Sequence, residues 1–171
     1  MFKKIKQRSL EKQTEKHLEK RDDSQLNTPL KTIGFLIHEV HFKQGDLFYE
    51  FYKELTIQPK DIKVFSFLES KKKLPSLKQN QVYNKDFTWN GILQNQNAKE
   101  FLNTSFDVLV GYYKNSNPYL DYMVASSNAK FKVGLKNCNP DLYDLIIGVD
   151  IENIADFKTE LIKYLIILKK I

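Results

Sequence analysis

The amino-acid sequence predicts an α/β domain: a three-layer, mostly parallel Rossmann-like sheet with helices on both faces, preceded by a charged N-terminal helix. Three observations predict it. Short apolar or β-branched runs recur at residues 32–40, 61–68, 106–113, 130–135 and 143–149. Amphipathic patterns stand between most of them, which is how a largely parallel sheet is written in a chain. The first run, Ile33-Gly34-Phe35-Leu36-Ile37, is continuous instead of alternating, as expected of a central strand buried on both faces.

Residues 1–28 read as a charged helical arm and residues 29–171 as a single α/β domain. In the arm Lys12, Lys16 and Lys20 recur every four residues, as do Glu11, Glu15 and Glu19, so each sign forms its own stripe. Its apolar residues are few: Phe2, Ile5, Leu10, Leu18 and Leu26. The arm is therefore expected to lie largely in solvent and add little to the core, touching the body through Leu10 and Leu18. Phe2 and Ile5 alone make a thin face for a membrane surface. Pro29 ends the arm, because it disfavours helix at Thr28.

In the body, Leu47, Phe48, Phe51, Tyr52 and Leu55 fall at helical spacing and predict a crossover helix over 46–55. The lysine-rich stretch 69–85 reads as a surface loop. Helices follow at 98–102 and 118–127, the second with Asn117 as cap and Pro118 at its first position. Residues 130–135 and 143–149 are joined by seven residues, 136–142. A parallel crossover needs a dozen or more, so these two strands are expected to be antiparallel or not neighbours. The closing helix, 154–168, is apolar on more than one face. That surplus suits a protein partner or a second copy packing on the C-terminal helix, or cover by the arm.

Composition sets limits on function. A chain of 171 residues is large enough for one domain with a real core. The apolar stretch 164–168 is far short of the roughly 20 residues a membrane span needs. The charged N-terminus carries no apolar secretory region. Cys138 is the single cysteine, cannot form an internal bridge, and reads as a small loop residue suited to a cytoplasmic location. The net charge of +6 comes from lysine; of 27 basic residues only Arg8 and Arg21 are arginine. Lysine is a hydrated point charge, and the excess sits at segment ends and loops, so it reads as solvated charge with no specific nucleic-acid partner.

No catalytic residue, metal site or cofactor is assigned. Gly34 lies inside a strand, and neither a glycine-rich phosphate loop nor a Gly-x-Ser-x-Gly elbow is present. His38 and His41 point to opposite faces of an extended strand, so sharing one ion would need a turn between them. They read as surface or partner-contact histidines. Trp89 is expected to plug the sheet edge or cover the core. A ligand of this fold class belongs outside the carboxyl ends of the strands, near a reversal of strand order. The candidate binding residues there are His38, His41, Asp46, Tyr112, Asn115, Ser116, Asn117 and Asp150.

Lys85-Asp86, then Trp89 and Gly91, ahead of Phe106-Asp107-Val108-Leu109, resemble an uncharacterised bacterial family of domain-of-unknown-function proteins of about this length. The likeness continues through Tyr119-Leu120-Asp121-Tyr122, Ala129-Lys130-Phe131 and Tyr143-Asp144-Leu145, and it implies no activity. More distantly, the unit 106–135 is similar to the N-terminal lobe of heptosyltransferase-type (GT-B) glycosyltransferases. Those enzymes use a second lobe for the sugar nucleotide, and Gly111 stands where they more often carry an acid. Two function classes follow. The first is a non-catalytic cytosolic interaction or structural module resembling a lone glycosyltransferase lobe. The alternative is a small ligand- or nucleotide-binding protein or enzyme using the cleft at the strand ends.

Overall fold

In the computed structural model, which describes residues 1–72 and 78–171, the first apolar run becomes β1 (Ile33–His38), buried along its whole length. It stands inside a six-stranded sheet with β2 (Ile62–Leu68), β3 (Gln81–Tyr83), β4 (Val108–Tyr112), β5 (Phe131–Leu135) and β6 (Leu145–Ile147). The order is β3-β2-β1-β4-β5-β6, and every pairing is parallel. Alternate residues of β1 serve two cores. Ile33, Phe35 and Ile37 join Phe48, Phe51, Phe157 and Leu161 on one face, and Leu36 joins Leu102, Leu120 and Val124 on the other. The first face is covered by a 3-10 helix (Gly45–Phe51), α2 (Tyr52–Leu55) and α5 (Ile154–Ile167). The second is covered by α3 (Gln96–Asn103) and α4 (Pro118–Ser126), with α1 (Phe2–Glu19) lying against α4. This is the three-layer arrangement the sequence predicts.

Four local expectations are corrected. β5 and β6 are parallel neighbours, with Val133 beside Leu145. The short connection suffices because no full helix crosses there. The 3-10 turn Pro140–Leu142 is followed by Tyr143, whose ring lies flat on the sheet where Gly111 and Gly134 carry no side chain. A Cβ on Gly134 would stand 2.6 Å from that ring, and one on Gly111 2.3 Å from its hydroxyl. The crossover after β1 is not an α-helix over 46–55 but a seven-residue 3-10 helix running into a four-residue α2. Its aromatic face still packs as expected, Phe48 stacking on Phe35 at 4.2 Å between ring centroids.

The stretch 69–85 holds the edge strand β3, and the part of the expected surface loop at 73–77 lies outside the described residues. Trp89 covers nothing and is 62% exposed. It sits at the tip of a turn closed by Gly91 N donating to Thr88 O, while Phe87 and Leu93 bridge beneath it and take the buried positions.

The arm is the helix expected, mostly facing solvent and touching the body through Leu10, fully buried within the second core, and Leu18, packed at its margin. The arm lies over α4, and not over the C-terminal helix. Beyond α1 it is held by charge. Both guanidinium nitrogens of Arg21 reach Asp144, at 2.9 and 2.6 Å. Asp144 also accepts from Lys132 N, and the buried Lys132 Nζ donates to Val124 O at 2.6 Å, near the end of α4. Burial and the neighbouring Arg21 push the Lys132 ammonium down to about 7, against the pull of Asp144. Asp107 accepts from Lys31 N and Thr32 N and pairs with Lys130 Nζ at 2.8 Å. Leu30 N donates to Lys170 O, and Lys170 Nζ to Thr28 O, so residues 26–30 are tied to the end of α5.

Candidate functional site

The strand order reverses between β1 and β4, and in doubly wound sheets ligands sit outside the strand ends at that point. The chain itself fills the place. β1 stops at His38, whose carbonyl accepts from His41 N at 2.9 Å and Phe42 N at 3.0 Å. This turn, absent from the extended reading, brings the two imidazoles to 4.3 Å between centroids. His38 is buried, with its ring edge-on to Phe67, so it is not the surface residue expected. Burial and the adjacent His41 push its imidazole down to about 4. Its Nδ1 accepts from Val40 N, which places the proton of the neutral ring on Nε2. His41 Nδ1 accepts from Lys114 N at 3.2 Å, a bond that spans the reversal from the end of β1 to the end of β4. Burial and the Lys114 cation lower the His41 imidazole too, with Glu152 opposing them.

The remaining candidate residues are divided among separate places. Asp46 lines a cleft of about 240 Å³ over β1 and β2, with Glu39, Lys43 and Ser66. Asn115 and Asp150 share another, of about 200 Å³, with Lys114 and Lys136. Asn115 adopts φ +58°, and Asp150 pairs with Lys136 at 2.8 Å on the surface. Tyr112 faces inward, its hydroxyl donating to Ile151 O at 2.7 Å and its ring lodged among Phe42, Phe48 and Phe157. Asn117 is spent on capping: its side-chain oxygen accepts from Tyr119 N and Leu120 N of α4. Ser116 donates to Asp121.

Two polar groupings were not legible beforehand. Glu39 accepts from Gln81 Nε2 and Ser66 Oγ, linking β1 to the unforeseen β3. On the other face Tyr143 OH donates to Tyr113 OH at 2.8 Å, and Tyr113 OH to Asp121 at 2.7 Å. Burial raises the Asp121 carboxyl, and the Ser116, Tyr113 and Asn117 hydrogen bonds hold it back. The signal for this chain of hydroxyls was the lone carboxylate within Tyr119–Ala125, an otherwise apolar helical run.

The chemistry open to this end of the sheet is limited by its backbone. After β1 the chain offers only the 3-10 helix and a four-residue α2, and after β4 the first N–H groups of α4 are taken up by the Asn117 cap. Among the described residues no group of three His, Cys, Asp or Glu is placed to hold a metal ion. Nor, among them, is any helix long and apolar enough to cross a membrane. Fold and site together define a doubly wound α/β module whose reversal crevice is bridged by its own loops.

The chain belongs to a family of unknown function, DUF6913, whose model matches residues 6–168. Searches of curated proteins and of solved structures return no match, so the likeness of 106–135 to a glycosyltransferase lobe gains nothing from them.

Proposed function

We propose that the chain is a non-catalytic, cytoplasmic interaction module that pairs with a second copy of itself through the end of α5. The observation that carries this reading is the His41–Lys114 bond, which bridges the crevice where a module of this class would bind a small molecule. The other support comes from α5. Its inner side buries Phe157, Leu161 and Leu165, while Ile166, Ile167 and Leu168 stay exposed at 56%, 61% and 41%. The Leu30 and Lys170 bonds hold that last turn in place, so the apolar patch is preformed. Its surroundings are balanced in sign, with Lys163 paired to Glu160 and Lys158 to Glu54, so two copies can meet without like-charge repulsion. Light scattering of the eluting full chain should give a dimer, and Ile167→Glu a monomer with an unchanged circular dichroism spectrum. A monomer at every concentration overturns the reading.

The two small clefts favour the second reading, a ligand held by Asp46 or by Asn115 and Asp150. A thermal-shift series with nucleotides, nucleotide sugars and divalent metals separates the two. A shift removed by Asp46→Asn or Asp150→Asn supports ligand binding, and no shift with any of them sinks it.

A further inference from the structure

We infer that α1 and the 84–92 segment together form a docking face for an anionic membrane surface. The reading of α1 alone gave too thin an apolar face, and the fold widens it. Lys6 Nζ donates to Asn84 O at 2.8 Å, and Ser9 Oγ and Gln13 Nε2 both donate to Asn90 O, so the segment is fastened along the helix. Gly91, at φ +79°, allows the close approach, since a Cβ there would stand 3.0 Å from Gln13 and 3.3 Å from Leu10. Trp89 and Ile92, 62% and 51% exposed, are thereby added to Phe2 and Ile5. Phe2 and Trp89 line one groove of about 640 Å³, with Tyr119 also in its wall. Ile92 lies in the next hollow along the helix.

Charge on this face has one dominant sign. Lys3, Lys6, Lys71 and Lys85 surround the Phe2–Trp89 groove, with Glu69 as the acid among its lining. Lys12, Lys16 and Lys20 surround Ile92. Glu11, Glu15 and Glu19 sit one residue back from those lysines, about 100° round the helix, outside the hollow. None of these seven lysines is within ion-pair distance of a described carboxylate, whereas Lys114, Lys130, Lys136, Lys158 and Lys163 all are. Burial, and after it the nearby Lys85, lower the Lys6 ammonium.

The chemistry selects a lipid surface over the other anions. Exposed Phe, Trp and Ile tips among lysines match the headgroup boundary, where apolar side chains enter and ammonium groups meet lipid phosphate. Bidentate nucleic-acid recognition favours the planar arginine fork, and every cation named on this face is lysine. A second copy would bring the same positive face against it.

Trp89 is the single tryptophan, so its emission reports directly on this face. The test uses the full chain with phosphatidylcholine vesicles, with and without phosphatidylglycerol. The expected result is co-sedimentation and a blue shift of Trp89 with the anionic vesicles only, both reversed by salt. Lys12→Gln/Lys16→Gln/Lys20→Gln should weaken binding more than about tenfold. Phe2→Ala/Ile92→Ala should keep the fold, by circular dichroism, and lose most of the blue shift. No blue shift at low salt overturns the proposal, as does equal binding to neutral vesicles. Vesicle binding abolished by single-stranded DNA, with DNA binding tighter, overturns it in favour of nucleic acid.

Discussion

At the amino ends of the strands Asp107 and Lys132 are buried, shared and tied to backbone, whereas at the carboxyl ends the ion pairs lie on the surface beside two adjacent histidines. Asp107 and Lys132 are 4% and 1% exposed, and each bonds more than one group. Lys114–Glu152 and Lys136–Asp150 lie in solvent. The difference shows where the fold is bolted. The amino end fastens arm, sheet and α5 to one another, and the carboxyl end is left to loops that close over the reversal crevice.

The largest expected break is at Asp107. Removing its carboxylate strands Lys130 and the N–H groups of Lys31 and Thr32. Asp107→Ala should cost about 3–5 kcal/mol, read as a lower urea midpoint at unchanged slope. Leu10→Ala comes next, at about 2–4 kcal/mol, because the residue is fully buried although its helix is mostly exposed. A cost below about 0.5 kcal/mol would return the arm to the loose appendage its composition suggests.

Acidity separates the two ends. The folded state holds His38 near 4 against 6.5 when free, so the unfolded chain binds more protons between those values. Stability should fall by at most about 3 kcal/mol as pH drops through that window, and His38→Gln should flatten the slope. Lys132 titrates near 7 in the fold against 10.5 unfolded, so stability should rise between pH 7 and 10.5. Lys132→Met should remove that rise and leave the acid side untouched. The smallest effect is expected at the surface pair: Lys114→Ala should leave the urea midpoint indistinguishable from that of the parent chain.

The fold class was legible because five strands fall in short apolar runs, and in β1 and β4 burial on both faces makes the run continuous. β3 left none: it is three residues long and opens with Gln81, whose amide serves Glu39 from a strand some forty residues earlier. The candidate site was half legible. Strand ends can be counted off, so Asn117 and Asp150 fell where expected, but the His41–Lys114 bond joins residues 73 apart and has no local signature. Trp89 was misplaced for a related reason. Size argues for burial, yet the tight Thr88–Gly91 turn puts Phe87 and Leu93 inward and leaves the indole outside.

The ring of Tyr143 lying on two bare glycines has a consequence for how relatives can diverge. Gly111 and Gly134 come from different strands, and the tyrosine from the connection that crosses them. None of the three can change alone: a methyl group at either glycine meets the ring, and a smaller residue at 143 opens a void. A descendant that replaces the tyrosine with a short side chain frees both strands to regain side chains. The three positions are thus expected to vary together across the family, a correlated triplet that marks this thin crossover even where the rest of the sequence has drifted.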